Sequence, residues 1–167
     1  MAKAILISRE QGPPLTRIFA DAAYLVALNS AKDQHHSDSA KVQADLKRAG
    51  HLADAGELFI SDLVLIEAVQ ELLADCGFIV ARSVFRDFER NHTILNSKPA
   101  DVSKGFYELC SKYKSSATAR RGLGLVDAVS ILHMRRNKIG LIISTDTVFD
   151  RVPALQRIWV HNLAGFR

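Results

Sequence analysis

Apolar residues recur along the 167-residue chain in short runs set between longer stretches of helical period, and that alternation defines the expected fold. "RIFA" (17–20) predicts the first strand. Pro13 and Pro14 mark off a short N-terminal extension, residues 1–15, from the domain proper at 16–167. A helix over Ala22 to Leu28 comes next, then a polar amphipathic helix in "DQHHSDSAKVQADLKRAG" (33–50), stopped by Gly50. "ELFIS" (57–61) predicts the second strand. Ser61 and Asp62 then supply N-cap chemistry for "LVLIEAVQELLADCG" (63–77), which keeps helical period as far as Gly77. "FIVARSVFRDFERN" (78–91) reads as a helix, "HTILNS" (92–97) as a strand and "ADVSKGFYELCSKYKSS" (100–116) as another helix. After the basic, glycine-containing "ATARRGLG", the stretch "LVDAVSILHMRRNK" (125–138) predicts a helix closed by Gly140. It leads into the strand "LIIST" (141–145), a helical turn and a last strand "RIWV" (157–160). Alternation of this kind predicts an α/β domain with a mainly parallel sheet covered on both faces, whose ligands bind beyond the C-terminal strand ends.

Four acids break this pattern where it asks for an apolar residue or a cap. Asp21 follows "RIFA" and Asp146 follows "LIIST"; Glu67 sits inside "LVLIEAV" and Asp127 inside "GLVDAVSIL", in the first turns of their helices. Any one of them has a plain structural explanation as a cap, a paired charge or a partner of a helix N-terminus. All four recur at one topological position, and that coincidence makes them candidates for a common site. Crowded carboxylates repel, so such a cluster either keeps protons or binds a cation. Oxygen-only donors, with no His or Cys among them, favour Mg²⁺ or Mn²⁺, which retain waters and take phosphate oxygens as further ligands. Metal-assisted hydrolysis of a phosphodiester follows from that chemistry.

Composition narrows the picture only slightly. With 48% hydrophobic and 24% charged residues the chain is that of an ordinary globular domain of one core, and no apolar run is long enough to span a bilayer. The start, "MAKAILISREQGPPL", is broken by Arg9 and Glu10 and reads as no export signal. Cys76 and Cys110 lie in separate apolar patterns and are expected as core thiols, which suits a reducing cytoplasm. Twenty-two Lys and Arg against eighteen Asp and Glu give a net charge of +4, which permits a polyanionic partner without requiring one.

The acids and the elements around them resemble the PIN-domain family, especially the toxin ribonucleases of VapBC toxin–antitoxin pairs. The resemblance covers residues 17–160. It is carried by "IFADAAYLVALNSAKDQHH", by "FISDLVLIEAVQELL" and, most specifically, by "GFYELCSKYKSSATARRGLGLVDAVSILHMRRNKIGLIISTDTVFDRV". It implies a three-layer α/β/α sandwich around a parallel sheet, and a Mg²⁺- or Mn²⁺-dependent endoribonuclease with Asp21, Glu67, Asp127 and Asp146 as its catalytic, metal-binding acids. Homodimers, and inhibition by a small antitoxin protein, are implied as well. One departure stands out: family members commonly place Thr or Ser after the first acid, whereas here Ala22 and Ala23 follow Asp21. That loss puts the level of activity in question, with Ser144 the nearest hydroxyl to take over. A weakly active or inactive PIN-like module that binds RNA or protein is the alternative. Covalent aspartyl-phosphate chemistry is disfavoured, because haloacid-dehalogenase-type enzymes want an Asp two residues after the first and the chain has Ala23.

Basic residues beside the acids suit RNA phosphates: Lys112, Lys114, Arg120 and Arg121 precede the Asp127 helix, with Gly122 and Gly124 allowing movement. Arg135, Arg136 and Lys138 are accounted for by the C-terminal dipole of that helix. His35 and His36 are expected at the surface; Phe106, Tyr107 and Tyr113 could stack on single-stranded RNA, although aromatics at that spacing are more often core, and Trp159 is expected in the core.

Overall fold

The first strand, β1 (Ile18–Ala20), is fully buried on both faces, as its unbroken apolar run requires of a strand inside a parallel sheet. A computed structural model describes residues 17–52, 58–112 and 122–160. Within them β1 leads to α1 (Ala22–Asn29) and α2 (His36–Arg48), then β2 (Leu58–Ser61), α3 (Asp62–Asp75) and α4 (Phe78–Asn91). The chain continues through β3 (Thr93–Leu95), α5 (Pro99–Lys112), α6 (Leu125–Arg136) and β4 (Leu141–Ile143). A 3₁₀ turn at Thr147–Arg151 precedes β5 (Gln156–Ile158). Residues 1–16, which include the N-terminal extension, lie outside the described residues.

All strand pairs are parallel, in the order β3-β2-β1-β4-β5. The chain therefore winds outward from β1 through β2 to β3, then crosses back past β1 to β4 and on to β5. Right-handed crossovers place α1 to α4 on one face and α5 and α6 on the other, giving the expected three-layer sandwich. The winding reverses between β1 and β4, and such a switch point opens a crevice at the C-terminal strand ends. The register sets Ala20 against Ile143 across it, and the Asp21 amide donates to the Ile143 carbonyl at 3.0 Å. Phe19, Ile60, Leu72, Ile131, Ile142, Ile143 and Phe149 are among the side chains that fill the core around these strands.

Local stops mostly follow the sequence signals. Gly50 adopts φ 74° after α2, and Gly77 adopts φ 82° between α3 and α4, conformations for which glycine is the natural residue. Helix α6 departs from expectation. It ends at Arg136 with Asn137 as cap and Lys138 in the left-handed region at φ 55°, so Gly140 lies past the stop. The polar helix begins only at His36, because residues 31–35 form turns. The last strand ends at Ile158, which leaves Trp159 just beyond it, buried as expected and met edge-on by His35 at 5.8 Å. His36 packs Nδ1 against the Ala27 carbonyl at 2.8 Å. Both histidines are half-buried and tether the α1–α2 connection, where the sequence placed them at the surface. Phe106 and Tyr107, for which core was only the more frequent of two readings, are 51% and 70% exposed on α5. Cys76 is a half-buried free thiol.

Candidate active site

Asp21 caps the switch point. The ends of β1 and β4 are adjacent, so Asp21, directly after β1, lies beside Ser144, directly after β4. The Ser144 hydroxyl donates to Asp21 Oδ2 at 2.7 Å and accepts from the Asp146 backbone N–H at 2.9 Å. One hydroxyl thus holds the first acid and orients the turn that carries the last. Ala22 and Ala23 carry no side-chain donor, and the hydroxyl bonded to Asp21 is the one that follows β4. Arg157, buried in β5, steadies this turn from below: its guanidinium forks onto Asp150 at 2.8 and 2.9 Å and donates to the Ser144 carbonyl at 3.2 Å.

The other acids are also held by their backbones. Asp127 stands in the first turn of α6, where Oδ2 accepts the Gly124 N–H at 2.7 Å. Asp146 caps the 3₁₀ turn, with Oδ1 accepting the Val148 N–H at 2.9 Å. These bonds commit one oxygen of each to orientation, and monodentate ligation of a cation needs only the other. Glu67 lies in the second turn of α3, one turn later than the sequence reading put it.

Electrostatics ties the four together. Burial pushes the Asp21 carboxyl up to about 7, against the Ser144 and Ala22 hydrogen bonds that favour its charged form, and the Asp127 and Glu67 carboxylates add to the rise. Burial likewise raises Glu67, with Asp127 and Glu71 contributing. Asp127 is raised by burial, against its bond from Gly124, and by Asp146. Asp21, Glu67 and Asp127 therefore each feel another of the acids, and Asp146 acts on Asp127. Among the described residues, no group of three or more His, Cys, Asp or Glu side chains is placed to hold a metal ion as it stands. The all-oxygen donor set and its mutual repulsion nonetheless suit a hard divalent cation, whose charge would offset that repulsion.

Of the basic residues expected beside the acids, Lys112 ends α5, and Lys114, Arg120 and Arg121 lie outside the described residues. Arg135 and Arg136 have partners that the dipole argument missed: Glu108 at 3.0 Å and the buried Asp101, both on α5. Asp62, Ser97 and His133 form a further polar connection near the site. Asp62 showed itself in the sequence only as cap chemistry, and nothing in the sequence marked the other two.

The comparisons agree with this fold. Residues 18–155 match the family model of the PIN domain. The crystal structure of VapC20 from Mycobacterium tuberculosis, a sarcin–ricin loop cleaving toxin, is similar in fold with a TM-score of 0.61 and 21% identity. That match covers 80% of this chain and 92% of that one. PAE2754 from Pyrobaculum aerophilum is similar with a TM-score of 0.53 and 16% identity, over 91% of this chain and 96% of that one. Among curated proteins none matches the chain in sequence. With its family model matched from β1 to the turn before β5, the chain belongs to the PIN domain family.

Proposed function

We propose that the protein is a metal-dependent endoribonuclease that hydrolyses RNA phosphodiester bonds, acting as the toxin of a type II toxin–antitoxin pair. The observation that carries this reading is the coupling of Asp21, Glu67, Asp127 and Asp146 at the switch point of a PIN-domain sheet, with Asp21 held near neutrality. Mg²⁺ or Mn²⁺ suits the donors, and the four acids would hold it. A divalent ion bound there supplies an activated water and neutralises charge on the scissile phosphate. The chain's own part is to orient and to manage protons. Ser144 and the Gly124 and Val148 amides fix three carboxylates, and Asp21 must release its proton as the cation enters, so metal uptake is coupled to pH.

A small antitoxin, homodimerisation and a cytoplasmic location belong to the same proposal. Among the described residues no helix is long and apolar enough to cross a membrane. Phe78 and Ile79, 66% and 82% exposed at the tip of the α3–α4 hairpin, support a protein partner, since exposed apolar side chains grouped together mark interaction sites. Lys112, Lys114, Arg120 and Arg121 are proposed as RNA backbone contacts. The competing module without catalysis draws support only from Ala22 and Ala23.

The test is cleavage of single-stranded RNA with Mn²⁺ by the wild type and by Asp127→Asn. Cleavage by the wild type that is abolished by chelation, and reduced by at least about a hundredfold in the variant, is the expected result. Metal-independent cleavage, or equal cleavage by both proteins, overturns the nuclease reading.

A further inference from the structure

Helices α3 and α6 carry Glu67 and Asp127, whose like charges oppose each other across the crevice. Something must hold the helices against that repulsion. About one and a half turns from the acids a second link joins the same two helices, through the β3–α5 connection. Asp62, the first residue of α3, accepts the Ser97 backbone N–H on Oδ2 at 2.9 Å and the Ser97 hydroxyl on Oδ1 at 2.5 Å. The same hydroxyl oxygen lies 3.0 Å from His133 Nε2 on α6. A hydroxyl has one proton. Directed at a carboxylate over so short a distance, it leaves a lone pair for a proton on Nε2, which fixes the imidazole tautomer.

The two links run in opposite senses along the helices. Asp62 joins His133 through Ser97, while five residues further along α3 and six residues back along α6 Glu67 faces Asp127. At the helical rise these steps are about 8 Å and about 9 Å, so the helices pass antiparallel, with a hydrogen-bonded link at one level and the repelling carboxylates at the next. His133 is only 5% exposed, and burial keeps it below the ordinary imidazole value, against Asp101 and Asp62. The link therefore runs from the Asp62 carboxylate through the part-buried Ser97 hydroxyl to a buried imidazole, where limited access of water strengthens its hydrogen bonds.

We propose that Asp62, Ser97 and His133 are positioning residues that clamp α3 to α6 and so set the separation of Glu67 and Asp127. Their bearing on metal binding rests on the metal-site reading above; their bearing on helix separation does not. Release of the clamp lets the carboxylates move apart, at a cost to cation affinity that exceeds its cost to folding.

Two measurements test this on the full chain. The first is Mn²⁺ affinity by calorimetry for the wild type, Ser97→Ala, Ser97→Thr, His133→Leu and a core control, Val84→Ala, each with its metal-free melting temperature. Weakening of about tenfold or more in Ser97→Ala and His133→Leu, recovery in Ser97→Thr and little change in the control are expected. The second uses spin labels at Gln70→Cys and Leu125→Cys, with Cys76 and Cys110 replaced by Ser, in the metal-free protein. Ser97→Ala and His133→Leu should lengthen or broaden the α3–α6 distance distribution. The clamp is overturned if that distribution is unchanged, or if affinity in every variant merely follows melting temperature. A wild type that binds no Mn²⁺ removes the metal-site reading, and the distance measurement then decides the clamp by itself.

Discussion

Asp21 concentrates the physical chemistry of the site in one side chain. It is 6% exposed, and its carboxyl is pushed from an ordinary 3.8 up to about 7, mainly by burial. A carboxyl whose folded value lies above its unfolded one stabilises the fold fully below the unfolded value, and that contribution is lost as pH rises through the folded one. The metal-free protein should therefore lose stability between about pH 4 and pH 7, with Glu67 and Asp127 acting in the same sense. The distance from 3.8 to about 7 corresponds to a ceiling of about 4 kcal/mol, which relaxation around the site will reduce. Asp21→Asn still offers an oxygen to the Ser144 hydroxyl and carries no charge, so urea midpoints followed from pH 4 to pH 8 should fall less in the variant. Parallel pH profiles for the two proteins would refute this account of Asp21. Ala22 and Ala23, which read as a weakness in the sequence, matter less once Ser144 is seen bonded to Asp21. That hydroxyl was visible as a candidate two residues before Asp146; its partner was not, because a bond spanning 123 residues exists only after β1 and β4 have paired.

Helix pairs decide where the acids point. On the face opposite α1 to α4, α5 lies against α6 through Gly105, where an added Cβ would stand 2.8 Å from Val129 Cγ2 and 3.3 Å from the Val129 amide. The pairs Arg135 with Glu108 and Arg136 with Asp101 then fasten the two helices. Because α6 also carries Asp127 and His133, a shift of α6 moves the site. Gly105→Ala should destabilise by about 1–3 kcal/mol, the range for overpacking a tight interface. Adding Val129→Ala should recover much of that loss, since the closest clash is with a removable methyl group. Chemical denaturation of the single and double variants measures it, and a Gly105→Ala protein as stable as the wild type would show that the interface has room. The helices themselves were legible from periodicity, as were the stops at Gly50 and Gly77. Lys138 in the left-handed region was not legible, since the signal favoured the nearby Gly140, and neither was the exposure of Phe106 and Tyr107. Apolar composition places a residue on a helix but does not say which of its faces the next layer covers.

At the scale of the whole molecule, the sheet order determines what the acids can do together. The reversal between β1 and β4 gathers groups from four separate elements at one crevice, so ligand binding there should stabilise the entire fold. Mn²⁺ at about a hundred times its dissociation constant should add about 2.7 kcal/mol, a rise in melting temperature of about 5–10 °C for a domain of this size. The rise should be larger at pH 8 than at pH 5, where protons compete for the carboxylates, and it should largely vanish in Asp127→Asn. Differential scanning calorimetry with and without Mn²⁺ makes the comparison; an equal rise in both proteins would place the ion elsewhere.

By itself the sequence determined the alternation of elements and the parallel α/β class and marked the four acids as candidates, because hydrophobic period, cap chemistry and misplaced charge are local properties of a chain. It also determined the likeness to PIN domains, which rests on the order and spacing of those acids. Only the tertiary structure decided that Ser144 bonds to Asp21, that Arg136 reaches Asp101, and that Ser97 joins Asp62 to His133. Each of these contacts joins residues at least 35 positions apart. Their energies depend on distances that no local pattern encodes, and those distances are set when strands of fixed register bring distant turns to one edge of the sheet.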